Sequence, residues 1–162
     1  MVLTVGLEPD GGSGFRAAFD AIVTTLPALV DDGLVTAEEA RRMSIPSTGR
    51  DEKAFRAPVA PSGRFEGLSI EHLEMFNAED RFWSQYRLDG DATAFGANWA
   101  AVLRASIFPS LAGALDGGID DARAEQFVER LETAVAAHLA AAPEQMTIPL
   151  AKLVLGKKTG SA

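Results

Sequence analysis

The chain is 162 residues long, 47% hydrophobic, and carries a formal net charge of −8. That length supports one sizeable core rather than two ordinary domains, so a single unit over residues 1–162 is expected. The negative charge, with no local run of Lys or Arg to offset it, repels a phosphate backbone and argues against nucleic acid as a partner. There is no cysteine, which excludes disulfides, thiolate metal ligands and a thiol nucleophile. No apolar run approaches the roughly 20 residues of a membrane-spanning helix, and the first residues do not read as a signal peptide; the expectation is a soluble, cytoplasmic protein without a membrane partner.

Val2, Leu3, Val5 and Leu7 form an apolar run bounded by Pro9, Asp10, Gly11 and Gly12, the pattern of a covered strand near 1–8. So abrupt a start leaves two readings: a fold built around an N-terminal strand, or the absence of a segment that ordinarily precedes it. Phe15, Phe19, Ile22, Val23, Leu26, Leu29 and Val30 then recur at helical spacing. Ser13 is a candidate N-cap for that helix, Pro27 a candidate kink and Gly33 its C-terminal stop. Thr36-Ala37-Glu38-Glu39 has the form of a capping box, predicting a short helix to about Met43. Another helical turn fits Arg50 to Arg56, and Pro58 to Gly63 is a loop by composition.

FEGLSIEHLEMFN fits a strand through its rough alternation and a helix through a Ser69 cap, and both remain open from periodicity alone. From Asp91 a long helix carries Phe95, Trp99, Val102, Leu103 and Ile107 on one side, with Pro109 bending its end. After the Asp116-Gly117-Gly118 turn, Phe127, Leu131, Val135 and Leu139 mark a last helix near 119–142. IPLAKLVLGKK reads as a terminal strand near 147–157.

Candidates for chemistry are sparse. Gly11-Gly12-Ser13-Gly14 lies between strand and helix as a phosphate cradle would, but lacks the GxGxxG spacing and any following Gly-Lys-Ser/Thr, so it reads as an ordinary loop. His72 and His138 lack a carboxylate-rich neighbourhood at ligand spacing. Asp31-Asp32 and Glu38-Glu39 read as solvated charges, and the aromatics Phe82, Trp83, Tyr86, Phe95 and Trp99 as core. These residues alone support a soluble α/β domain.

Five segments in order, MVLTVGLEP, LVDDGLVTAEEARRMSIP, GRFEGLSIEHLEMF, LRASIFPSL and IPLAKLVLGK, resemble the C-terminal half of the SABATH family of S-adenosylmethionine-dependent carboxyl methyltransferases, which act on salicylate, benzoate, jasmonate and related small acids. The resemblance covers the whole chain. It implies the C-terminal part of a Rossmann-like methyltransferase sheet, about three strands and mixed, with a helical substrate cap from residues 14–57 and 91–118. The ambiguous segment becomes a strand near 66–76, and the terminal strand lies antiparallel between it and the first. On this resemblance residue 1 corresponds to the middle of a family member, and the glycine-rich S-adenosylmethionine loop and ribose-binding acid would precede it. No cofactor is therefore expected to bind this chain alone, and no catalytic residue is assigned.

The resemblance further implies a pocket for the acid's apolar body lined by Phe19, Thr48, Leu103, Ser106 and Ile148. Thr48 stands where relatives often carry a tyrosine, which would enlarge the pocket. Arg41 replaces a carboxylate used by relatives that bind magnesium, which argues against a cation there. The implied partner is a small carboxylic acid, held weakly. The exposed edge left on the first strand further implies a homodimer. A non-enzymatic apolar-ligand or assembly module descended from such an enzyme is the other reading.

Overall fold

The computed structural model describes residues 1–8, 11–12, 14–45, 49–60, 63 and 65–157. In chain order the elements are β1 (Val2–Val5), α1 (Arg16–Asp31), α2 (Ala37–Arg42), α3 (Glu52–Arg56), β2 (Leu68–Ala78), α4 (Arg81–Asp89), α5 (Ala92–Ser106), α6 (Phe108–Ala112), α7 (Ala124–Ala141) and β3 (Ile148–Lys157). The class is mixed α and β. The chain folds into two compact units, one of Met1–Gly14, Ser47–Glu79 and Thr147–Ala162, the other of Phe15–Pro46 and Asp80–Met146.

The first unit holds the sheet, in the order β1-β3-β2. β3 runs antiparallel to both neighbours, with Val2 opposite Leu153, Val5 opposite Leu150, and Ala78 opposite Ile148. β1 and β2 point the same way but do not pair because β3 lies between them. Both ladders are therefore antiparallel, where a mixed sheet was expected. Pro149, Ala151 and Leu153 are buried at alternate positions of β3, as a two-residue side-chain period requires. The register of β2 against β3 shifts between Ile70 and His72, a bulge around Glu71.

β1 departs from the reading of a covered strand. Val2, Leu3 and Val5 are 44%, 58% and 40% exposed. Among the described residues its ladder to β3 satisfies one edge only, and apolar composition by itself cannot supply a covering layer. Gly14 is needed where it stands. Its φ is +66°, and a Cβ there would collide with the Thr147 carbonyl oxygen and the Pro149 ring.

The second unit is helical. α7 packs along α5 and α1, burying Ala18, Ile22 and Leu29 of α1, Phe95, Trp99 and Leu103 of α5, and Phe127, Leu131, Val135 and Leu139 of α7. The three- and four-residue spacing of these side chains places them on single helix faces. α5 approaches α7 so closely at Gly96 that a Cβ there would overlap the Ala136 carbonyl oxygen.

α1 starts at Arg16 behind Phe15, whose backbone is left-handed at φ 54°, and continues through Pro27 to Asp31. The proposed cap Ser13 lies outside the described residues. Gly33, at φ +73°, closes the helix by donating its N–H to the Val30 carbonyl at 2.9 Å. α2 carries the predicted capping box: Glu39 N–H donates to Thr36 Oγ1 at 3.1 Å, and Thr36 N–H donates to Glu39 Oε2 at 2.8 Å. α4 was not anticipated. Its N-cap is the buried Asp80, which accepts from Phe82 and Trp83 N–H through Oδ1 and from Met146 N–H through Oδ2. α7 begins at Ala124 rather than near 119, because a 3-10 turn occupies Gly118–Asp120.

Candidate functional site

Three of the five expected pocket residues lie on the helical unit. Phe19 sits on α1, one turn beyond Phe15, and is half-buried; their ring centroids are 6.2 Å apart. Leu103 lies on α5 one turn beyond Trp99, and both are nearly inaccessible. Phe15 bridges the two helices, its ring 6.0 Å from that of Trp99 at 75°. Phe82 of α4 meets Trp99 edge-on at 5.4 Å and 89°. Phe19, Phe15, Trp99 and Leu103 thus form an aromatic and aliphatic row across α1 and α5. Ser106 lies apart from this row: it is exposed, and its hydroxyl donates back to the Val102 carbonyl at 2.7 Å.

Ile148 belongs to the sheet unit. Thr48 lies outside the described residues. Ile148 opens β3 and is half-buried, and its neighbour Pro149 lines a cavity of about 300 Å³ with Leu7, Met75, Phe76, Asn77, Glu8, Asp51 and Glu52. This cavity lies where β1 and β2 end and β3 begins. Its apolar floor suits a hydrocarbon body, but its three carboxyl groups would repel an anion. Asp51 is already engaged as the cap of Ala54 N–H, and Glu52 pairs with Arg56. The cavity is therefore a poor receptor for a carboxylate.

The most developed polar cluster involves an acid expected to lie in solvent. Glu38 is indeed exposed, but Glu39 is fully buried. Arg123 grips it with two bonds, Nη2 to Oε1 at 2.6 Å and Nη1 to Oε2 at 3.1 Å, and the Asp116 N–H adds a third at 2.9 Å. Arg123 also binds Asp121 through Nε and Nη2, and donates to the Leu34 carbonyl. The Arg123 guanidinium, followed by the Thr36 N–H, holds the Glu39 carboxyl down at about 2 against burial, which opposes its charge. Asp121 is held well below the usual carboxylate range chiefly by the same guanidinium. Every acceptor in this cluster is used by the protein, which makes it a structural tie between α2 and the start of α7. The one signal for Glu39 was the capping box itself, since its N3 acid must turn back toward the helix start.

His72 and His138 are both exposed. His72 Nε2 lies 3.5 Å from Glu74 Oε2, and among the described residues no group of three or more metal-ligating side chains converges. No helix among the described residues is long and apolar enough to cross a membrane. Comparison of the chain with protein-family models and with curated proteins found no match.

Proposed function

We propose that this chain is the substrate-cap and C-terminal sheet portion of a SABATH-type carboxyl methyltransferase, and that it holds the apolar body of a small organic acid. The observation that carries this reading is the strand order, with the last strand running antiparallel between the first and second. That placement is what the sequence resemblance implies and is not dictated by the amphipathic patterns of the strands. Phe15 and Phe19, both half-buried, offer apolar surface of the kind the body of such an acid requires, whereas Trp99 and Leu103 are 3% and 2% exposed and belong to the core.

On this reading the described residues are not asked to hold S-adenosylmethionine. Gly14 is packed against Thr147 and Pro149, leaving no open cradle at that glycine, and no step through the cofactor is assigned to this chain. A carboxylate is ionised at neutral pH, so the contribution asked of these residues is positioning rather than proton transfer. With apolar contact supplying about 25 cal/mol per Å² and no clamp for the charge, affinity for a benzoate-sized acid should be roughly millimolar. Saturation-transfer NMR with benzoate tests this. The expected result is a signal that weakens in Phe19→Ala; equal signals from both proteins, or none, would refute the reading.

One observation favours the second reading, an assembly module. The apolar side chains of β1 are exposed on a strand paired on one side among the described residues, and such edges recruit another strand.

A further inference from the structure

The cavity of about 300 Å³ beside Pro149 is lined entirely by residues of the sheet unit. That size is at the small end of ligand sites, which run from about 300 to 1,000 Å³. Leu7, Met75, Phe76 and Pro149 give it an apolar wall, and packing fixes the wall in place. Leu7 N–H donates to the Arg50 carbonyl at 3.2 Å, and a Cβ on Gly49 would collide with the Leu7 side chain. A Cβ on Gly6 would likewise overlap the Met75 methyl.

All the charge on the lining is negative, carried by Glu8, Asp51 and Glu52, and Asn77 is the remaining polar residue. The basic side chains nearby in sequence line other surfaces. Arg50 lines a depression with Val2, Val5 and Phe55, while Lys53 and Arg56 line another with Ala57 and Ala60. Glu52 is offset by Arg56, whose Nε donates to its Oε1 at 2.8 Å, and Asp51 commits Oδ1 to the Ala54 N–H at 2.7 Å. Glu8 is different. Its main chain is pinned, its N–H donating to the Gly12 carbonyl at 2.7 Å and its carbonyl accepting from Gly11 N–H at 2.9 Å. Its half-buried carboxyl has no ion pair and no side-chain hydrogen bond among the described residues. A carboxyl held against an apolar wall without a counter-charge is unfavourable, and a bound cation would relieve it.

We propose that this cavity is a binding site for a small organic ammonium, a primary amine carried on an aromatic or short aliphatic body. This inference stands apart from the carboxylic-acid reading, which rests on the helical unit. The ammonium has three donors and no acceptor, and the lining answers it with the Glu8 carboxyl, the second Asp51 oxygen and the Asn77 carbonyl oxygen. The apolar body packs on Leu7, Met75 and Pro149, and the ring of Phe76, 36% exposed, adds a face that attracts a cation. A bare divalent ion is the poorer occupant, because among the described residues no three ligating side chains converge on one point.

The chain has four methionines, so protein labelled with ¹³C at the methionine methyls gives four resonances, and Met75→Leu assigns the one in the cavity wall. Three probes of one shape are titrated: 2-phenylethylamine, which is protonated at neutral pH, its uncharged isostere 2-phenylethanol, and phenylacetate. The expected result is that the amine moves the Met75 methyl and binds about ten-fold tighter than the alcohol, the factor of one charge-assisted hydrogen bond partly screened by solvent. Added salt should shrink that preference. In Glu8→Gln amine and alcohol should bind nearly equally, since the other two carboxyls keep their protein partners. Phenylacetate should leave Met75 in place even where it binds the helical unit. If the amine leaves the Met75 resonance unmoved, if amine and alcohol bind equally to the parent chain, or if phenylacetate moves Met75 as far as the amine does, the inference falls and the acid reading is untouched. A preference that survives intact in Glu8→Gln also overturns it. The comparison of probes is read on the unmodified chain, so the test survives a Glu8→Gln protein that does not fold.

Discussion

Replacing Glu39 by Gln tests the tie between α2 and the start of α7 and predicts a pH signature. In the folded protein the carboxyl titrates at about 2, against an ordinary value of 4.5. A depressed folded value means that the unfolded chain binds the proton first. The stabilisation is therefore complete above about pH 4.5 and is lost progressively as pH falls through about 2. At about 1.4 kcal/mol for each pH unit, the full difference corresponds to an upper limit of about 3 kcal/mol. The Arg123 side chain is 33% exposed, so solvent screens the pair, and about 1–2 kcal/mol is the expected contribution of the charge.

Gln keeps the shape and one carbonyl oxygen for the Asp116 or Thr36 N–H, while Arg123 retains Asp121. The amide nitrogen faces donors where the second oxygen stood, so a backbone bond is lost as well, and it is the pH dependence of the loss that reports the ionised pair. Urea unfolding followed by tryptophan fluorescence, at pH 7, 5, 4 and 3, should show Glu39→Gln less stable by about 1–2 kcal/mol at pH 7. By pH 3 more than half of that difference should be gone. A gap that stays constant from pH 7 to pH 3 would show that Glu39 is not ionised against Arg123 in the folded state, and would overturn the electrostatic account.

The remaining predictions concern packing and assembly. Gly96→Ala gains helix propensity but drives a methyl into the Ala136 carbonyl oxygen; overpacking should win, lowering stability by about 1–2 kcal/mol in the same urea assay. If β1 pairs with a second copy, light scattering at low micromolar concentration should report twice the chain mass, and Leu3→Lys, at a side chain already 58% exposed, should return it to one chain mass without unfolding it. A monomeric parent chain would remove strand pairing from consideration.

The amino-acid sequence by itself determined what depends on near neighbours. The apolar spacing from Phe15 to Val30 marked α1, Thr36 and Glu39 marked the start of α2, Gly33 marked the end of α1, and the IPLAKLVLGK run marked β3, because helix period, capping and strand alternation are all settled within a few residues. Tertiary structure alone decided the rest. Whether Glu38 or Glu39 is buried depends on Arg123, 84 residues away along the chain, and no local pattern encodes that distance. Asp80 could be recognised as a cap only once Met146 and the start of α4 were brought to its carboxylate. Leu103 and Ser106 share a helix, yet packing buries the first and leaves the second in water. The apolar composition of β1 suggested a covered strand, but composition expresses only a tendency to be buried; whether another surface meets it is a property of the fold.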